Sequence, residues 1–178
     1  TGGKKMDDRV LSLLERVGLP YPGGPIIDRM AHEGDATKFK FSKPHIPGYN
    51  YSFSGLKTSF LYTLRDEMKL NPNFIEENKN DLAASLQKTI IDTLMDKFSK
   101  AIKDTGIKII AIAGGVSANS GIRDAVQEYA DRRHIKAFIP KRSYTTDNAA
   151  MIAVAGYYKY LDKKFCDITE PPFARVTI

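Results

Sequence analysis

An apolar, β-branched run that empties into two glycines and then into a helix leaves a chain few folds to choose from, and residues 107–119 read that way. Ile107 to Ala113 predicts a buried strand, Gly114-Gly115 a tight turn, and Asn119 to Arg132 a helix. Glycines lacking Cβ let a ligand approach the backbone, and a helix start offers unpaired N–H groups and the positive end of a dipole. The pattern suits a nucleotide seat, and a strand followed by Gly-Gly is equally met as a plain tight turn. A second strand, Lys136 to Ile139, leads through the polar cluster Thr145-Thr146-Asp147-Asn148 into a second apolar helix, Asp147 to Leu161. Strand, helix, strand, helix in this order predicts α/β architecture with parallel pairing.

Upstream, the apolar spacing is helical. Val10, Leu13, Leu14 and Val17 predict an opening helix closed by Gly18, and Pro20 to Pro25 a stiff loop. Pro25 then suits the first position of a short helix, Ile26 to Glu33, ended by Gly34. Lys38-Phe39-Lys40-Phe41 alternates like a strand. Ser54 is placed to cap a helix whose face is Leu56, Phe60, Leu61 and Leu64, and the polar residues 71–80 predict a turn or helical connection. From Asp81, the residues Leu82, Leu86, Ile90, Leu94, Phe98 and Ile102 recur every fourth position until Gly106. The last residues, 166–178, predict an extended tail lying on a surface. About three strand candidates accompany five or six helices, fewer than doubly wound domains carry.

The 178 residues, 42% hydrophobic and 27% charged, are enough for one domain with a core and exclude a disordered chain. No apolar run approaches the roughly 18 residues of a membrane span, and Thr-Gly-Gly-Lys-Lys-Met lacks an apolar signal core, so a cytoplasmic location is expected. Cys166, the one cysteine, excludes an internal disulfide. A formal charge of +6 makes a polyanionic partner plausible. Lys141 and Arg142 are the pair expected on the same rim as the Gly-Gly turn.

Individual candidates keep two readings at this level. Asp147 is either an N-cap or a carboxylate reaching a metal or a phosphate-bound cation. Asn119 is either an N-cap or an amide that donates and accepts beside a base or ribose. Pro22-Gly23-Gly24-Pro25 is a stiff turn on residue statistics alone. His32, His45 and His134 share no metal-ligand or triad spacing and are read as structural or exposed. There is no His-Glu-x-x-His and no Gly-x-Ser-x-Gly, which excludes those hydrolase types.

Four ordered stretches, Tyr21-Pro22-Gly23-Gly24-Pro25, Ser52-Phe53-Ser54-Gly55-Leu56-Lys57-Thr58, Ala111 to Asn119 and Thr145 to Ala153, together resemble the TsaD family of tRNA adenosine threonylcarbamoyltransferases. The resemblance runs from about Gly18 to Leu161 and covers the C-terminal half of the family. It implies an actin-like fold of the Hsp70 and sugar-kinase type. This chain would be a single domain, residues 1–178, forming the second lobe with a helical insert at about 53–103. Members also carry an N-terminal lobe with a His-x-x-x-His metal motif, and that motif does not occur here. A further departure lies near Leu11, where members have an aspartate one helix before the Pro-Gly-Gly-Pro loop.

What the resemblance implies for function is transfer of a threonylcarbamoyl group from threonylcarbamoyl-AMP to the tRNA adenosine beside the anticodon. It assigns Gly24, Asp28, Gly114, Gly115 and Asn119 to the nucleotide and Asp147 to an iron or zinc ion that this chain alone would hold poorly. Lys57, Lys141 and Arg142 would meet tRNA, and TsaB-like and TsaE-like subunits would be protein partners. No nucleophile or general base is identifiable. An actin-like ATPase or sugar kinase, or a catalytically silent scaffold of the same fold, are the alternative classes that the fold allows.

Overall fold

The computed structural model of the chain describes residues 23–171, so the expected helix around Val10 to Val17 lies outside the described residues. Helix α1 (Gly23–Ala31) is followed by turns and irregular chain to Phe53, then by α2 (Leu56–Leu70) and α3 (Phe74–Thr105). Strand β1 (Ile109–Ala111), a 3-10 turn (Gly115–Ala118), α4 (Ser120–Arg133), β2 (Lys136–Phe138), a second 3-10 turn (Arg142–Tyr144) and α5 (Ala149–Leu161) complete the order. β1 and β2 pair in parallel with Ile110 opposite Ala137, as the strand–helix–strand order requires.

Helix α3 organises the packing. Its 32 residues run about 48 Å at the usual rise, long enough to serve two cores. The first half contributes Phe74, Leu82 and Leu86 to a cluster with Phe41, Leu56, Phe60 and Leu64. Ile102 near the other end joins Ile110, Val126, Tyr129 and Ala130 around the strands. Glu76 and Glu77 favour the positive helix start, and Gly106, with φ 66°, closes the last turn as the sequence indicates. The helix begins at Phe74 rather than Asp81, because Phe74 is buried against Phe39 with ring centroids 5.6 Å apart and anchors a polar first stretch.

Several expectations are corrected. Phe39 and Phe41 do turn inward, yet residues 38–41 form no strand; the Phe39 N–H donates to Ser85 Oγ at 3.2 Å on α3, so no ladder is available. The α2 cap is Gly55, with φ 88°, not Ser54, whose own N–H donates to Ser52 Oγ. Helix α1 starts at Gly23 and ends at Ala31, three residues before Gly34. Strand β1 is only half buried: Ile110 is 4% exposed and Ile109 61%, since helices cover one face of a two-stranded sheet and leave the other bare. Two strands, not three, are found among the described residues. The described part of the tail, residues 166–171, is exposed throughout rather than packed. Helix α5 likewise has no buried residue.

The turn after α1 is tied to α3 by charge as well as by packing. Asp81 Oδ2 accepts from Lys38 Nζ at 2.6 Å and Oδ1 from the Asp35 N–H at 2.8 Å. The Lys38 hydrogen bond first, and the Asp35 N–H second, hold the Asp81 carboxyl below its ordinary value of 3.8. A lowered folded-state pKa gives stability that is present above the unfolded value and is lost as pH falls through the folded one. The difference in melting temperature between wild type and Asp81→Asn is therefore expected to be largest near neutrality and to shrink on acidification below about pH 4. Thermal denaturation of both proteins across that range checks it, and a difference that grows with acid would contradict the tie.

Candidate nucleotide-binding site

A hollow of about 600 Å3 lies between α1, α3 and the start of α4, and it is bordered by the Gly-Gly turn and Arg142. Its walls carry Ile27, Ile90, Ile91, Val116 and Ile122, so the surface is mostly apolar with a single polar cluster. Five of the residues singled out from sequence line it together: Gly24, Asp28, Gly115, Asn119 and Arg142. Gly114, with φ 81°, makes the left-handed bend that delivers the chain from β1 into this rim. An ideal Cβ on Gly24 or on Gly115 would meet nothing within 4 Å, so both present open backbone to the hollow.

The polar cluster is centred on Asp28. Its Oδ1 accepts from Ser120 Oγ at 2.6 Å, Asn119 Nδ2 at 3.1 Å and Gln87 Nε2 at 3.2 Å, and Oδ2 accepts from the Ser120 backbone N–H at 2.9 Å. Oδ1 is saturated; Oδ2 keeps one lone pair. Asn119 caps α4 by accepting from the Ile122 N–H at 3.0 Å, while Nδ2 also donates to Gln87 Oε1 at 2.7 Å. The cap and the inward amide are thus one side chain with both uses. The Ser120 hydroxyl spends its proton on Asp28, so His32 Nε2, 2.7 Å away, is the donor in that pair.

This geometry corrects one expectation drawn from the Gly-Gly motif. The Ser120 and Ile122 N–H groups at the start of α4 are not open to a ligand, because a 3-10 turn intervenes and Asp28 and Asn119 already accept from them. An in-chain carboxylate sits where the helix dipole would attract a phosphate. The cations at the hollow are Arg29 and Arg142, neither of which has a hydrogen bond to that carboxylate among those described.

Other sequence-derived residues do not join the hollow. Lys57 is in the first turn of α2, Lys141 precedes the second 3-10 turn and is exposed, and none of Lys57, Lys141 and Asp147 is in the lining. The cap of α5 is Asn148, which accepts from the Met151 N–H at 3.2 Å, so the alternative of Asp147 as N-cap is not realised. Among the described residues no three His, Cys, Asp or Glu side chains converge. A single carboxylate does not fit a tightly held iron or zinc ion.

Sequence reasoning passed over Gln87, Ser120 and the role of His32. The signals were present: His32 lies four residues after Asp28, on one helical face continued past Ala31, and Gln87 interrupts the otherwise apolar stripe Ala84, Ile91.

The sequence model of the TsaD family, described as tRNA N6-adenosine threonylcarbamoyltransferase, matches residues 2–154. The chain belongs to the TsaD family. Among similar proteins, the tRNA N6-adenosine threonylcarbamoyltransferase of Phocaeicola vulgatus is 58% identical over 99% of this chain and 53% of its own length. That of Porphyromonas gingivalis is 55% identical over 99% of the chain and 53% of its own length. The Thermotoga neapolitana protein of the same name is 42% identical over 88% of the chain and 48% of its own. The chain spans about half the length of the curated relatives it matches. The TsaD family has an actin-like ATPase type of fold, and the helices with a small parallel sheet described above are consistent with it. No described helix is long and apolar enough to cross a membrane.

Proposed function

We propose that the hollow between α1, α3 and α4 receives the adenosine half of threonylcarbamoyl-AMP. The protein acts as a transferase that passes the threonylcarbamoyl group to the tRNA adenosine beside the anticodon. The observation that carries this reading is the Asp28 carboxylate seated on the α4 N-terminus within apolar walls. A phosphate is repelled there, whereas a nucleoside brings hydroxyl or amine donors that Asp28 Oδ2 and Asn119 Oδ1 accept. The volume falls within the roughly 300–1,000 Å3 usual for small-molecule sites. Membership of the family and the shared name of the relatives support the chemistry.

In the step itself the exocyclic amine of the tRNA adenosine attacks the carbamoyl carbon. The bond from that carbon to the phosphate oxygen breaks, AMP departs with the electron pair, and the amine proton passes to solvent. A weak nucleophile of this kind depends on orientation. Asp28 and Asn119 orient the nucleoside, Gly24 and the Gly114-Gly115 turn admit it close to backbone, and Arg29 and Arg142 offer positive charge to its phosphate. Lys57 and Lys141 are assigned to tRNA backbone. Asp147 remains the one carboxylate that the resemblance gives to iron or zinc. The second-lobe placement, the helical insert at about 53–103, the TsaB-like and TsaE-like partners and the cytoplasmic location rest on the resemblance.

Calorimetric titration of the full chain is expected to show adenosine and AMP competing for one site. Absence of both, together with magnesium-dependent ATP hydrolysis that needs no tRNA, would replace this reading with that of an ATPase or kinase.

A further inference from the structure

We propose that Gln87 is a positioning residue: its amide bridges Asp28 and Asn119 and thereby fixes which Asp28 oxygen is left to a ligand and which way the Asn119 amide is turned. The inference rests on the nucleoside reading for its effect on binding, and on geometry alone for the bridge. Gln87 projects from α3, while Asp28 belongs to α1 and Asn119 caps α4. One amide therefore joins three elements. Nε2 donates to Asp28 Oδ1 and Oε1 accepts from Asn119 Nδ2, which settles the orientation of both neighbours. With Oδ1 taken by Gln87, Asn119 and Ser120, the acceptor left to a ligand is Oδ2. With Asn119 Nδ2 held by two acceptors, its oxygen is fixed on the cap with one lone pair unspent, on a residue that lines the hollow. Gln87 is half-buried where three helices meet, and the amide's direction, rather than its bulk, is the informative property.

Gln87→Glu keeps shape and keeps an acceptor for Asn119, but it sets a second carboxylate against Asp28 Oδ1. Two such groups do not both stay ionised at this distance, so below the shared ionisation a proton bridges them and restores a donor. The other ionisable groups around the cluster are Arg29 and His32 on the α1 side, Arg142 across the hollow and Arg123 one turn into α4; they are common to both proteins. The ratio of variant to wild-type affinity at each pH therefore isolates the new pair. Adenosine serves as the probe because it carries no titrating phosphate.

At about pH 8, Gln87→Glu is expected to bind adenosine about tenfold or more weakly than wild type, and at about pH 5.5 the ratio recovers to within about threefold. Gln87→Met, which keeps length and loses both hydrogen bonds, is expected to weaken binding by a similar factor with no recovery in acid. In the ligand-free protein, a carboxyl NMR titration of Asp28 should move upward in Gln87→Glu. Wild-type binding with variant ratios near one, or a Gln87→Glu ratio that does not change with pH, overturns the positioning role. If wild type binds no adenosine, the nucleoside reading falls and the NMR titration alone decides the bridge: an unmoved Asp28 then overturns it, and an upward shift upholds it.

Discussion

Gly34→Ala is expected to destabilise the fold by about 3 kcal/mol or more, a large share of the stability of a domain this size. A Cβ at this position would lie 2.1 Å from Asn80 O, 2.3 Å from its carbonyl carbon and 2.7 Å from Asp81 N. All three are backbone atoms of α3, which cannot yield without breaking the helix or moving it off the α1 turn. Separation would also cost the Asp35 N–H to Asp81 and Asn80 to Glu33 hydrogen bonds beside it. Gly156→Ala in α5 is the control: its Cβ meets nothing within 4 Å, and alanine in a helix interior is favoured over glycine by about 1 kcal/mol. Denaturant midpoints of the two variants should move in opposite directions. An unchanged midpoint for Gly34→Ala would mean that the α1 turn does not rest on α3 as described.

Asp28→Ala carries the largest expected functional effect. It removes one acceptor group from four donors, the Ser120 N–H and hydroxyl and the Asn119 and Gln87 amides. Hydrogen bonds to a charged group are individually worth about 1.5–3 kcal/mol, and leaving buried Ser120 and half-buried Asn119 and Gln87 unsatisfied adds to the loss, so about 3 kcal/mol of stability should go. Adenosine binding should fall about 100-fold or more, because the Oδ2 acceptor assigned to the nucleoside is lost and Asn119 loses one of the two acceptors that hold its amide. Asp28→Asn separates the two effects. It preserves shape and one acceptor oxygen but turns a donor toward either Ser120 or Gln87, so stability should fall less than affinity. Thermal denaturation and calorimetry on the same samples check both. A folded Asp28→Ala protein that binds adenosine like wild type would remove the hollow from consideration as the nucleoside site.

The residues that sequence reasoning placed correctly are those whose signal is local. The Gly114-Gly115 turn, the end of α3 at Gly106 and the parallel pairing of β1 with β2 follow from spacing within one or two elements. The errors arise where a distant partner decides. Gly34 looks like a helix stop, yet its reason for lacking a side chain is α3, some 46 residues on. Phe39 and Phe41 alternate as a strand would, and it is Ser85 and the α2–α3 groove that hold them extended. At the site, Asp28 and Asn119 were legible through family motifs, while Gln87 was not, since a glutamine on a long amphipathic helix is unremarkable until two other helices close on it. Helix α4 gave a false expectation for the same reason: nothing near Ser120 in sequence shows that its N–H is already met from residue 28.

Arg123 donates to the Ser117 carbonyl at 3.0 Å and to the Pro140 carbonyl at 2.8 Å. One planar cation thus staples the segment leaving the first strand to the segment leaving the second. The two lips are thereby held together, and since Asp28 on the facing helix and His32 just after it are bonded to Asn119 and Ser120, a ligand meets a chamber whose walls are already joined to one another.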